Sequence, residues 1–88
     1  MIYVDDYNGR FRNMVMCHMS SDTSTEELIE FAAKIGLKEE WIQVRGTWHE
    51  HFDVSQSKKK LAIKHGAIPI NSRGLVKMMK ELKKNKES

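Results

Sequence analysis

The sequence predicts a small single-domain α/β fold with about four short strands, three helices and a sheet that is at least partly parallel. Short β-branched runs alternate with apolar stripes of helical spacing, which is the pattern of a sheet layered against helices. Of the 88 residues, 40% are hydrophobic and 31% are charged, as in an ordinary globular domain. The single cysteine excludes an internal disulfide framework and a multi-cysteine zinc knuckle.

The first half contains two predicted strands and one helix. Ile2-Tyr3-Val4 is a β-branched and aromatic run that ends at two carboxylates, Asp5-Asp6. Residues 14–19 are apolar on both faces, as expected of a buried strand. A helix is predicted over residues 24–35, because Ser24-x-x-Glu27 fits the capping box and an apolar stripe of helical period follows.

The second half is predicted to add two strands and two helices. A third strand is expected at residues 41–44, with Trp41 in the core. Two helices follow, one from Ser55 or Ser57 to about His65 and one from Asn71 or Ser72 onward, with a fourth strand at residues 67–70 between them. We assign residues 1–82 to the α/β domain and residues 83–88 to a basic C-terminal tail.

Charge is distributed unevenly along the chain. Residues 1–57 hold five Lys and Arg against ten Asp and Glu, a net charge of −5, whereas residues 58–88 hold ten against two, a net charge of +8. Such asymmetry is typical either of a nucleic-acid or membrane-surface partner or of two faces that attract each other within the fold. Nucleic-acid binding through the basic C-terminal third is therefore one of the functions to be weighed.

The densest group of chemically competent side chains is His49-Glu50-His51-Phe52-Asp53. In an extended chain His49, His51 and Asp53 project to the same side, because side chains alternate with a period of two. Two imidazoles and a carboxylate can hold a divalent metal ion, with Asp5, Asp6 or His18 completing the shell. The alternatives are a polar ligand contact without metal, and histidines that hydrogen-bond to the backbone or pack on the core.

Other candidate residues lie at strand ends and helix starts, where α/β folds place ligands. Ser55 and Lys58 begin one helix and Arg73 begins the next, so free N–H groups and cations favour an anion at both starts. Trp48 is a candidate for stacking on a base or ring. The predicted ligand-binding residues are Asp5, His18, Gln43, Trp48, His49, His51, Asp53, Ser55, Lys58 and Arg73.

The order of these features resembles an uncharacterised family of short bacterial and phage proteins, known only as a domain of unknown function. The features that carry the resemblance run nearly the whole length of the chain, up to about Leu82: Tyr3-Val4-Asp5-Asp6, Met16-Cys17-His18, Ile35-Gly36, Trp41-Ile42-Gln43, His49-Glu50-His51-Phe52-Asp53, and Lys58 to Ala67. The resemblance implies no activity. It implies that the marked polar residues belong to one site.

The function expected first is a small soluble binding protein with a polar pocket for a phosphorylated or nucleotide-like ligand. A phage origin would allow a sharper version, in which the protein sequesters a nucleotide signal. The alternative is a metal-dependent phosphoesterase or nuclease that uses Asp5, His49, His51 and Asp53 with a divalent metal. Because the chain opens without a basic and apolar leader and has no long apolar run, we expect a cytoplasmic protein and no membrane partner. We also expect a homo-oligomer, since 88 residues supply few pocket walls.

Overall fold

A computed structural model of the chain describes residues 1–7, 9–11 and 14–87. In these residues five short strands form one sheet: β1 (Ile2–Val4), β2 (Gly9–Phe11), β3 (Met14–Ser21), β4 (Phe52–Ser55) and β5 (Ile68–Pro69). The helices are α1 (Thr25–Lys34), α2 (Gln56–Lys64) and α3 (Ser72–Glu87), with a single 3₁₀ turn at Glu39–Trp41.

Strand β3 is the centre of the sheet. Met19 pairs with Val4 of β1 and with Phe52 of β4, so these two strands flank β3 on opposite edges, both antiparallel to it. Strand β2 pairs with the first half of β3, and β5 pairs with β1 in parallel. The sheet is therefore mixed, and the predicted α/β class with a partly parallel sheet is confirmed.

Helices α1 and α2 begin at two of the serine caps that the sequence predicted. Ser24 accepts a hydrogen bond from the Glu27 N–H, and Ser55 accepts one from the Lys58 N–H. The apolar stripe of α1 then buries Leu28, Phe31 and Ala32 in the core. This stripe shares one hydrophobic core with residues of β1, β3 and β4, the strands that lead to the site described below.

The prediction of a third strand at residues 41–44 is wrong. Its first residue closes the 3₁₀ turn, and of the remainder Gln43 alone pairs, in an isolated bridge to His51. Trp41 is 49% exposed, with the Lys38 ammonium over its ring, so its predicted core position is also wrong. Val44 has a positive φ of 46°, which turns the chain away from a strand path.

Helix α3 extends beyond residue 82, the predicted end of the α/β domain. It continues to Glu87, so residues 83–87 of the basic tail are helical, while Ser88 lies outside the described residues. Leu75 and Met79 are buried and fix the helix to the rest of the fold. Among the described residues, no helix combines the length and apolar character that crossing a membrane requires.

Glu50 secures the segment between the 3₁₀ turn and β4. Its carboxylate is buried and accepts hydrogen bonds from the Thr25 hydroxyl and the Gly46 N–H. Its backbone carbonyl accepts a further bond from the Ser20 hydroxyl. These contacts join the segment to β3 and α1, and thereby fix the approach of the chain to β4.

Replacing Glu50 by alanine is expected to lower the thermal stability. The Thr25 hydroxyl and the Gly46 N–H both lose a charged acceptor, which costs about 1.5–3 kcal/mol per bond and therefore about 3–6 kcal/mol in all. At about 4–8 °C per kcal/mol for a domain of this size, Tm should fall by at least about 12 °C. Differential scanning calorimetry measures the change. Glu30→Ala, at an exposed position of α1, is the matched control, and equal Tm values for the two variants would contradict the assignment.

Candidate metal centre

Three neighbouring strands bring the site together through their register. His18 of β3 lies directly opposite Asp53 of β4. On the other edge of β3, Asp5 follows β1 and donates its N–H to the His18 carbonyl at 3.0 Å. Side chains of residues directly opposite each other lie on the same face of a sheet. The sheet register therefore places two carboxylates on either side of one imidazole.

The Asp5 carboxylate is buried, and both of its oxygens accept hydrogen bonds from within the protein. It is 1% exposed, and its Oδ1 accepts hydrogen bonds from the N–H groups of His18 at 2.8 Å and Tyr7 at 3.2 Å. Its Oδ2 lies 2.8 Å from Nδ1 of His18. Because a carboxylate only accepts, this contact fixes the proton on Nδ1. Asp5 thus holds the ring of His18 with Nε2 directed away from it.

His51 is fixed in a similar way by a backbone carbonyl. Its Nδ1 lies 2.8 Å from the carbonyl oxygen of His49, which can only accept, so Nδ1 carries the proton. The His51 backbone exchanges two hydrogen bonds with Gln43, at 2.8 and 3.2 Å. The lone pair of Nε2 is therefore available when the ring is neutral.

Both available nitrogens converge on Asp53. Oδ1 of Asp53 lies 3.5 Å from Nε2 of His51 and 4.0 Å from Nε2 of His18, distances beyond ordinary hydrogen bonding. The three ligand atoms lie within 4.8 Å of one another. Two ligands about 2.1 Å from a tetrahedral metal ion are separated by about 3.4 Å. The two distances to Asp53 Oδ1 are close to or wider than this separation, so the three side chains form a candidate divalent metal site in which they would have to move closer together around an ion. Asp5 and the His49 carbonyl are the kind of outer partners that metal-binding histidines use.

Charge in the cluster shifts the pKa values of Asp5 and His18 in opposite directions. The hydrogen bond to Asp5 raises the pKa of His18 above 6.5 despite partial burial, and the charges of Asp5 and Asp53 act in the same direction. Burial alone would raise the pKa of Asp5, but hydrogen bonds from the His18 ring, the His18 N–H and the Tyr7 N–H together lower it below 3.8. In the metal-free protein the two groups form an ion pair at pH values above the lowered pKa of Asp5 and below the raised pKa of His18.

The predicted metal set of His49, His51 and Asp53 requires a correction, because His18 replaces His49 in the described cluster. The chain turns through residues 44–50, so the period-two alternation of a strand does not extend back to His49. The ring of His49 packs on Trp48 at 4.7 Å between centroids, and its Nδ1 lies 3.4 Å from the Thr47 hydroxyl.

A cavity of about 760 Å³ lies between the cluster and α3. Asp5, His18, His49 and His51 line one part of it, and Arg73 lines the part formed by α3. Its volume is that of a pocket for a small ligand. Five of the ten predicted site residues thus meet at one cavity, and Asp53 borders a smaller adjoining one of about 550 Å³ together with Gln43.

Ser55 and Lys58 lie apart from this cavity. They line a separate depression with Trp41, Gln43 and Asp53. The Ser55 hydroxyl caps α2, and the Lys58 ammonium donates a hydrogen bond to the Ile35 carbonyl at 2.7 Å. These bonds give both side chains structural roles.

The start of α3 is likewise capped from within the protein. The Ser72 N–H donates to Asp6, and the Gly74 N–H donates to Asn71. Asp6 therefore points to the helix while its neighbour Asp5 points to His18, as expected of adjacent residues at a strand end. Trp48 is half-buried beside His49, with the Lys83 ammonium 5.3 Å from its ring centroid.

Tyr7 is a site residue that the sequence analysis missed. Its exposed ring stacks on His18 with 4.7 Å between centroids. A Cβ at Gly9 would collide with this ring, so glycine is required there for the ring to cover His18. The Asn-Gly pair marks a turn, but nothing in the local sequence indicates which side chain the turn folds onto.

Cys17 has no part in the site. It is fully buried, its thiol contacts the Val54 carbonyl at 3.5 Å, and burial raises the pKa of this thiol to about 11. A thiol of that pKa is protonated near neutral pH and is a poor nucleophile. The adjacent His18 points to the other face of β3, so the two do not pair.

The fold and site define a small mixed α/β domain with two histidines and one carboxylate at the edge of a cavity. By comparison with protein families, the chain belongs to the family described as Protein of unknown function (DUF4031), which matches residues 2–82. The resemblance to a family of unknown function is thereby confirmed. Comparisons with curated proteins and with solved structures gave no match.

The Asp5–His18 ion pair predicts a specific pH dependence of metal-free stability. The raised pKa of His18 means that its contribution is complete below pH 6.5 and is lost as pH rises through that raised pKa. The lowered pKa of Asp5 means that its contribution is complete above pH 3.8 and is lost as pH falls through that lowered pKa. Urea unfolding measured across this pH range should show that the ion pair contributes most to the free energy of unfolding between pH 3.8 and pH 6.5.

His18→Gln isolates this contribution from other titrating groups. The difference in unfolding free energy between wild type and variant should shrink above pH 6.5, as the wild-type imidazolium loses its proton. The same experiment with His65→Gln, at an exposed position after α2, provides the control. A difference that stays constant from pH 5 to pH 9 would show that the pair does not form.

Proposed function

We propose that this protein is a metal-dependent phosphoesterase in which His18, His51 and Asp53 hold one divalent transition-metal ion. The observation that carries the proposal is the orientation of the two imidazoles. Each has its Nδ1 proton committed to an oxygen acceptor, and each turns its Nε2 toward the same oxygen of Asp53. Neutral imidazoles with an anchored Nδ1–H are the form in which histidine binds metal.

Three protein ligands are the number typical of catalytic rather than structural sites. The remaining coordination position is open to water or substrate, and a bound divalent ion lowers the pKa of water to about 7. His18 is 30% and Asp53 44% exposed at the side chain, so solvent reaches the cluster. The buried Asp5 keeps His18 oriented and adds negative charge behind the ring.

A phosphate ester is the substrate class that the charges around the cavity favour. Arg73 and Lys80 of α3 line the same cavity as His18 and His51. A guanidinium matches the geometry of phosphate oxygens, and an ammonium supplies a point charge. A metal ion on one wall and cations on the other would together neutralise a phosphate between them.

Metal titration tests this proposal directly. Isothermal calorimetry with Zn²⁺ and Mn²⁺ should give one site per chain, and Co²⁺ should give visible absorption bands of a nitrogen and oxygen site. Asp53→Ala should abolish the site, since it removes a ligand. Asp5→Asn should weaken metal affinity by about 10–100-fold, the usual effect of altering an outer partner.

Hydrolysis of bis(4-nitrophenyl) phosphate by the same proteins tests the chemistry. Activity should require metal, disappear with EDTA and with Asp53→Ala, and persist in His65→Ala, which changes a histidine outside the cluster. Absence of a one-to-one metal site in wild type, or an Asp53→Ala variant that binds metal as wild type does, would overturn the proposal.

The size of the cavity supports a second candidate, a binding protein for a phosphorylated or nucleotide-like ligand. At about 760 Å³ the cavity accommodates a nucleotide, and its α3 cations bind phosphate without a metal. In this version the protein sequesters its ligand, as a phage protein would sequester a nucleotide signal.

Adenosine diphosphate serves as the probe for this candidate. Binding that persists in EDTA and in Asp53→Ala, but weakens in Arg73→Ala, would favour it over the enzyme. Native mass spectrometry of the same samples reports bound metal and subunit number together, which also tests the expected homo-oligomer.

A further inference from the structure

Helix α3 carries a straight row of four cations beside the candidate metal centre. Arg73, Lys77, Lys80 and Lys84 follow one another at intervals of four, three and four residues. At 3.6 residues per turn and 1.5 Å per residue, they fall within an arc of about 60° and extend along about 16 Å of helix. We refer to these four residues as the cationic row.

The cationic row opens onto the same cavity as the histidines. All four residues line it, and all four are exposed. One carboxylate of α3, Glu81, also lines the cavity. Among the side chains that the structure describes, which exclude those of residues 85–88, the single ion pair of a Lys or Arg joins Arg45 to Glu39. None of these described carboxylates lies within 4.0 Å of a cation of the row.

The row is held in place by the buried side of its helix. Leu75 and Met79 are 1% and 6% exposed and anchor α3 to the fold. On the helix surface, Val76 lies between Met79 and the cationic row, and it too lines the cavity while remaining 45% exposed. The wall formed by α3 therefore passes from apolar to cationic across the helix.

We infer that the ligand of this site is a single-stranded polynucleotide whose phosphate backbone lies along the cationic row while one phosphodiester reaches the His18, His51 and Asp53 cluster. This inference rests on the proposed phosphoesterase function and names its substrate class. A single phosphate engages one or two cations, whereas four cations spaced along the helix match a series of phosphates. The apolar strip at Val76 is suited to the bases or sugars of the same strand.

A single strand fits the cavity better than a duplex does. The volume of about 760 Å³ is that of a pocket for one small ligand, which can take a nucleotide of a single strand but not the two paired strands of a duplex. Proteins that bind single strands combine a cationic groove with aromatic side chains on which bases stack. Trp48 carries such a ring next to Lys83, near the end of the row and outside the lining of the cavity.

Fluorescence anisotropy with labelled 12-nucleotide oligo-dT, oligo-U and a 12-base-pair duplex tests the inference. The measurements are made in EDTA with the full chain, so that binding is observed without turnover and independently of the metal. For four phosphate contacts on a single strand, log Kd should rise with log salt concentration with a slope of about 3.

The double variant Lys77→Glu/Lys80→Glu reverses the centre of the row. It should weaken single-strand binding at least tenfold at low salt and reduce the salt slope by about 1.4. The matched control Lys60→Glu/Lys64→Glu makes the same charge change at exposed positions of α2 and should change binding by less than twofold. Equal losses in the two variants, or equal affinity for duplex and single strand, would overturn the inference.

Failure of this inference is distinguishable from failure of the proposed function. One outcome is that wild type binds metal and hydrolyses bis(4-nitrophenyl) phosphate while its affinity for single strands does not depend on the cationic row. In that case the substrate assignment is wrong and the enzyme class stands. If single-strand binding in EDTA depends on the row but no metal site exists, the phosphoesterase proposal is wrong and the strand-binding row remains.

Discussion

The buried carboxylate of Asp5 is the constraint on which the rest of the site depends. A carboxylate that is 1% exposed must have its oxygens satisfied within the protein, and here the N–H groups of Tyr7 and His18 and the His18 ring supply all three donors. Meeting that requirement ties the end of β1 to β3 and fixes one tautomer of His18. The availability of His18 Nε2 is thus a consequence of satisfying a buried charge.

The second half of the site depends on how the chain enters β4. Glu50 is buried against the Thr25 hydroxyl and the Gly46 N–H, which places the His49 carbonyl where it anchors the ring of His51. Asp53 then faces His18 through the antiparallel register of β3 and β4. The imidazole that Asp5 fixes and the imidazole that the His49 carbonyl fixes therefore meet one carboxylate, while α3 contributes the cationic wall opposite them.

Much of this architecture was predictable, because it follows from local patterns. The capped helices, the strand that ends at Asp5 and the divergence of Asp5 from Asp6 all depend on residues close in sequence. His18 was one of three residues expected to complete the shell, but its taking the place of His49 was not predictable. The turn at Val44, with its φ of 46°, breaks the alternation that linked His49 to His51. His18 comes to the cluster through strand pairing over 35 residues of sequence, for which the chain carries no local signal.

Long-range ¹H–¹⁵N correlation spectra of the four imidazoles test the central claim most directly. In the metal-free protein above the pKa of His18, both His18 and His51 should show the Nδ1–H tautomer. One equivalent of Zn²⁺ should then shift the Nε2 resonances of these two rings together and leave those of His49 and His65 unchanged. A Zn²⁺-induced shift centred on His49 or His65, or no shift at His18, would contradict the account.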